Sequence, residues 1–241
     1  MAIAVRDHAS RKGGAGTAPT ITVPATVVAG DIMVVSVSWN SGSTMTAPSG
    51  WTLLNTGSYA SVGAGVLVKT ADAGDAGSSP VFPLDVNAQF TVALAAFSGA
   101  SGWAAHSLDA GANGLAVNCP SVTTGTGDVV VAAAMARGTV NADQPAFTFS
   151  TLLDQISGST ANKNCATAIG WYTPSSSGAT GAKTITSSKN VDAIGGQVVL
   201  TATPPSSGYD AFVWDGAALL AADAFVWDGS TLIAADADVS Q

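Results

Sequence analysis

The sequence predicts an all-β protein, a β-sandwich followed by a C-terminal β-hairpin arm, and three observations predict it. Short apolar runs rich in Val, Thr, Ile and aromatic residues recur between clusters of turn residues along the whole chain. All sixteen acidic residues are Asp, which suits turns and caps, and Glu, which suits helix interiors, is absent. Near the C-terminus a unit containing Phe-Val-Trp-Asp-Gly is written twice, 13 positions apart.

The first half supplies its strands in order. Thr20–Val23 is a short one. Gly30-Asp31 opens the longer run Ile32–Trp39, in which Ser36 and Ser38 share one face and Val35, Val37 and Trp39 the other, the pattern of a half-buried strand. Pro48-Ser49-Gly50 turns the chain into Trp51–Leu54, and Val66–Lys69 follows. The Ala-, Gly- and Ser-rich segment 71–79 reads as a loop before Phe82–Val86 and Phe90–Phe97.

The second half repeats this order. Gly127-Asp128 opens Val129–Met135, 97 positions after its counterpart. Thr151-Leu152-Leu153 echoes Thr52-Leu53-Leu54, Ile169–Thr173 precedes a second Ser/Gly loop at 175–181, and Gln197–Thr201 echoes the strand ending at Phe97. This weak internal duplication predicts one sandwich domain over residues 1–203, with half-repeats at about 1–102 and 103–203. Two stacked small sandwiches and one sandwich whose halves interleave as a jelly roll both fit the repeat; a single jelly-roll-like domain is the expectation.

Pro204-Pro205-Ser206-Ser207-Gly208 breaks the pattern and starts the arm, residues 204–241. Asp-Gly between apolar runs is a strong hairpin signal, so each repeat reads as a strand, a turn at Asp215-Gly216 or Asp228-Gly229, and a return strand. Isolated hairpins are marginal in water. Phe212, Trp214, Leu219 and Leu220 in the first repeat, and Phe225, Trp227, Leu232 and Ile233 in the second, therefore need cover, and burying a side chain of Phe or Leu size is worth roughly 1.5–3 kcal/mol. Those eight residues are the expected partner-binding set. The cover could be the chain's own sandwich, another copy or a different protein; the proline break favours a contact between molecules. The arm holds six Asp and no Lys or Arg, which suits a partner with a basic rim.

Charged residues make up 10% of the chain, where about 25% is usual, and Ser, Thr, Gly and Ala take their place. A surface so poor in charge suits a protein held in an assembly. The net charge of −8 argues against nucleic-acid binding. Arg6, Arg11 and Lys12 read as part of a solvated N-terminal arm. Neither a signal peptide nor an apolar run of the roughly 18 residues that a membrane helix needs is legible, so no membrane insertion is expected. Cys119 and Cys165 lie far apart without CxxC spacing and read as buried free thiols.

Signals for chemistry are weak. His8 and His106 are the two histidines; His106 lies near Asp109, and no G-x-S-x-G elbow is present. The Asp residues of Gly30-Asp31, Gly74-Asp75 and Gly127-Asp128 sit in turn contexts rather than as paired glycosidase carboxylates. Asp72 with Asp75, and Asp236 with Asp238, could face a calcium ion, yet neither pair matches an EF-hand loop. No catalytic, cofactor or metal residues are assigned. Trp39 and Trp51 flank the Ser/Thr-rich loop 41–44, and with Trp103 and Trp171 they could stack on a sugar; core packing is the expectation for all four.

Several of these residues together resemble a family. Thr22-Val23-Pro24, Gly30–Val35, Ala47-Pro48-Ser49-Gly50-Trp51-Thr52-Leu53-Leu54, Val68–Ala71 and Ala95–Ala100 are similar to β-sandwich modules in minor tail proteins of long-tailed bacteriophages that infect actinobacteria. Pro120–Thr124 leading into Gly127–Val131 extends the resemblance to the second half, and the two Val-Trp-Asp-Gly units resemble short repeats near the ends of such proteins. The resemblance implies a non-enzymatic virion structural protein without cofactors, made in the host cytoplasm and carried in the tail or on the capsid surface. Its implied partners are other virion proteins and copies of itself, with a trimer as the expected oligomer. A capsid decoration protein and a carbohydrate-binding host-attachment module are the alternatives.

Overall fold

A computed structural model describes residues 2–40, 42–138, 145–157 and 165–202, and in the C-terminal segment the strands 211–214, 219–222, 225–227 and 232–234. The described residues form strands, turns and bridges and no helix. The chain divides into two units, Met1–Ala202 and Thr203–Gln241.

In the first unit the strands are β1 (Ala4–Gly16), β2 (Ile32–Asn40), β3 (Thr52–Tyr59), β4 (Val62–Thr70), β5 (Ala88–Ser98), β6 (Ala100–Leu108) and β7 (Ala112–Cys119). They continue with β8 (Thr123–Thr124), β9 (Val129–Gly138), β10 (Phe147–Thr148), β11 (Leu152–Ser157), β12 (Cys165–Tyr172), β13 (Gly178–Ala179) and β14 (Lys183–Ala202). One sheet runs β1-β5-β2-β4-β3; the other runs β10-β14-β9-β12-β11, with β6 and β7 on the far side of β14. All described pairings are antiparallel.

The duplication is visible in this order. Strands β5-β2-β4-β3 of the first half correspond to β14-β9-β12-β11 of the second, and each series is one sheet. The sandwich is therefore made of two sequence-contiguous sheets laid face to face, and its wiring differs from the jelly-roll pattern, in which strands of the two halves would alternate between sheets. The physical reason is local: each half closes its own antiparallel ladder between neighbouring strands, as β3 with β4 and β11 with β12.

The core lies between the sheets. Val34, Val66, Ala95 and Phe97 from one meet Val131, Met135, Ile169 and Val198 from the other. The outer face of the first sheet is also covered. Met33, Val35, Val37, Trp39 and Leu94 pack there beneath Ile21, Val23, Phe82 and Leu84 from the connecting segments. This explains a departure from the half-buried reading of β2. Ser36 and Ser38 point into the sandwich and are fully buried, where Ser36 Oγ lies 3.0 Å from Thr167 Oγ1 across the sheets and Ser38 donates to the Ala136 carbonyl at 2.9 Å. Such pairing removes the penalty of burying hydroxyls.

Other expectations change as well. The N-terminal residues form the edge strand β1 along β5 rather than a solvated arm, and the Arg6 guanidinium binds Asp31. Thr20–Val23 and Phe82–Val86 make isolated bridges, Thr20 to Val81 and Met45 to Leu84, instead of strands, although Ile21, Val23, Phe82 and Leu84 are buried. Residues 103–108 and 112–117, without a strand reading in the sequence, lie in β6 and β7 along β14.

The repeated Gly-Asp pairs have one geometry. Gly30 and Gly127 adopt φ of +91° and +80°, a region open to glycine. The following carboxylate accepts the backbone N–H three residues earlier, Val28 to Asp31 at 3.0 Å and Gly125 to Asp128 at 2.6 Å. Turn chemistry accounts for both acids.

In the second unit, β15 (Ala211–Trp214) pairs with β16 (Leu219–Ala222), and β17 (Phe225–Trp227) with β18 (Leu232–Ala234). Each is a two-stranded antiparallel sheet. The registers match: Trp214 stands opposite Leu219 and Trp227 opposite Leu232. The Asp-Gly turns expected at 215–216 and 228–229 lie outside the described residues.

Candidate functional site

The eight residues expected to bind a partner all fall on the paired strands of the second unit. Phe212 and Trp214 are on β15, Leu219 and Leu220 on β16, Phe225 and Trp227 on β17, and Leu232 and Ile233 on β18. The 13-position repeat of the sequence is thus a repeat of structure. Each hairpin's described strands pair with each other and belong to no larger sheet. Both outer edges of a two-stranded ladder carry backbone N–H and C=O groups that a further strand can engage.

On the first unit, the polar groups that suggested chemistry are engaged in holding loops. Asp85 accepts the Thr44 N–H at 2.8 Å, the Thr44 hydroxyl at 2.7 Å and the Ser43 hydroxyl at 2.8 Å. The Thr44 backbone and hydroxyl donors together hold its carboxyl down to about 2. Ser43 in turn accepts Trp39 Nε1–H on its carbonyl at 2.9 Å. The Ser/Thr-rich loop beside Trp39 is therefore bound to its own neighbours.

None of the four tryptophans considered for stacking on a sugar is freely exposed. Trp39 and Trp51 are buried, Trp51 in a T-shaped contact with Phe82 at 5.2 Å. Trp103 and Trp171 pack against the inter-sheet core, Trp171 edge-on to Phe97 at 6.5 Å.

His8, Ser10 and Asp154 meet where β1 lies near β11. His8 Nδ1 is 3.3 Å from Asp154 Oδ2, and the Ser10 hydroxyl donates to Asp154 Oδ1 at 2.9 Å. Serine and imidazole both bind the carboxylate, so the serine proton is not handed to the histidine as a nucleophilic relay requires. His106 pairs instead with the Asn55 amide at 2.7 Å.

Asp72 and Asp75 both face Lys69, whose ammonium lies 3.1 Å and 2.7 Å from their carboxylates. A lysine fills the place a cation would take. Asp236 and Asp238 lie outside the described residues. Cys119 and Cys165 are buried free thiols, and burial pushes both up to about 12.

Sequence reasoning missed one feature. The loop after β12 encloses an open, polar cavity of about 240 Å³, lined by Tyr172, Thr173, Ser175, Ser176, Thr180 and Lys183 among others. Its signal in the sequence was the Ser/Gly loop 175–181 next to a lysine, a pattern that ordinary loops share.

The chain matches no protein-family model, no curated protein and no solved structure.

Proposed function

We propose that the chain is a structural subunit of a bacteriophage virion, placed in the tail or its tip, which assembles through protein–protein contacts of its C-terminal hairpins. The observation that carries this reading is the pair of two-stranded hairpins with matched registers. Each brings a Phe, a Trp and two aliphatic residues on strands too few to enclose them. A duplicated sticky element is what an assembly subunit needs. The charge content of 10% and the residues that resemble phage tail modules support the same reading. It calls for no catalytic residue and no cofactor. Partners are copies of the chain and other virion proteins. Decoration of the capsid rests on the same features, and position on the particle separates the two.

The test compares the full chain with a version ending at Thr203, by mass in solution and by incorporation into particles. Loss of oligomers or of incorporation on truncation is the expected result. A truncated chain that assembles as well as the full one overturns the docking role of the hairpins.

A further inference from the structure

The two halves of the duplicated domain part company at corresponding loops. After β4, Asp72 and Asp75 neutralise Lys69. After β12, residues 173–182 contain no acidic residue. The lysine there, Lys183 at the start of β14, lies with its ammonium 5.1 Å from the centre of the Tyr172 ring. Among the described residues no carboxylate is within ion-pair distance of it. In a chain of net charge −8, that puts beside a cavity a positive charge without a carboxylate partner among the described residues.

The cavity wall is held in place before any ligand arrives. The Tyr172 hydroxyl donates to Gln197, whose amide donates to the carbonyls of Cys119 at 2.9 Å and Pro120 at 2.7 Å. Phe149 meets the Tyr172 ring at 6.2 Å in a T-shaped contact. Thr180 accepts the Val122 N–H at 3.1 Å. Thr173, Ser175 and Ser176 are exposed and line the same space, and their hydroxyls make no hydrogen bond to another described residue.

We propose that this cavity binds a phosphate group. A lysine ammonium is a point-charge phosphate ligand. The hydroxyls of Thr173, Ser175 and Ser176 add donors that suit a group with three acceptor oxygens better than a carboxylate with two. The volume exceeds what the phosphate alone would fill and leaves room for a small polyol carrying it. The proposal rests on residues of the first unit alone and does not depend on the assembly role.

The experiment titrates the full, ¹⁵N-labelled chain at low ionic strength with inorganic phosphate and, separately, with glycerol 3-phosphate, following backbone amides by NMR. Saturable shifts centred on residues 173–183 are expected. Lys183→Gln weakens binding about tenfold or more, equivalent to about 1.4 kcal/mol, while Lys183→Arg and the exposed control Lys189→Gln retain it. Tighter binding of glycerol 3-phosphate assigns the site to phosphate borne on a polyol, and equal binding assigns it to the free anion; both support a phosphate site. Absence of saturable shifts with either probe, or affinity unchanged in Lys183→Gln, overturns it. Amide positions away from the loop report whether each variant keeps the fold.

Discussion

Arg6 grips Asp31 with two parallel hydrogen bonds, Nε to Oδ2 at 2.9 Å and Nη2 to Oδ1 at 3.1 Å, and so ties the edge strand β1 to the turn that launches β2. The carboxylate is buried, at 3% exposure, whereas the guanidinium is 35% exposed. The two partners are therefore unequal. Removing Arg6 loses an ion pair that solvent screens on the guanidinium side, a small contribution to stability. Removing Asp31 also strips the Val28 N–H of its acceptor, an additional loss of about 1–3 kcal/mol. Denaturant unfolding should rank Asp31→Ala as the more damaging variant; equal losses would mean that the turn does not depend on the carboxylate.

Gly63 gives Trp39 its slot. A Cβ at position 63 would stand 2.2 Å from Trp39 Nε1, and the indole is anchored by its bond to the Ser43 carbonyl. Gly63→Ala forces the ring or β4 to move and should cost about 1–3 kcal/mol. The midpoint of urea unfolding is the measurement. An unchanged midpoint would show that the ring can step aside freely.

Asp85 sets part of the acid stability. Its carboxyl is held down to about 2 from an ordinary value of 3.8, chiefly by the Thr44 backbone and hydroxyl donors. A carboxyl lowered in the folded state stabilises fully above its unfolded value and loses that contribution as the pH falls through the folded one. The loss therefore falls between about pH 4 and pH 2. Asp85→Asn should flatten this part of the pH–stability curve; a curve that keeps its full steepness would place the acid sensitivity elsewhere.

The thiols should be silent in the native protein. With both pushed up to about 12 by burial, almost no thiolate exists at pH 8. Cys165 Sγ also lies 3.3 Å from both the Asn40 side-chain oxygen and the Gln89 carbonyl. A maleimide or Ellman assay should count no reactive thiol in buffer and two in denaturant. Rapid native labelling would contradict the burial.

How much of this was legible in advance depends on range. Strand identity in the cores of β2, β5, β9 and β12 is written in runs of Val, Ala and Ile, because a strand covered on both faces becomes almost wholly apolar. β1 was not legible: Arg6, Asp7, His8, Ser10, Arg11 and Lys12 give no apolar alternation, and the segment is a strand because β5 presents an edge for it to pair with. The cavity beside Lys183 was missed because hydroxyl-rich loops look alike until the chain folds around them.

By itself the sequence determined the all-β class, the turn role of Asp31 and Asp128, the duplication of the first unit and the repeat of the second. These follow from spacing along the chain, where a two-residue side-chain period or a Gly-Asp turn acts over a few positions. Tertiary structure alone decided which sheet each half would build, and that Ser36 and Ser38 face inward to Thr167 and Ala136 while the valine face of β2 is roofed by connecting segments. Alternation distinguishes the two faces of a strand but carries no record of what covers either one, since that cover comes from residues outside the strand, as far off as Thr167, 131 positions from Ser36.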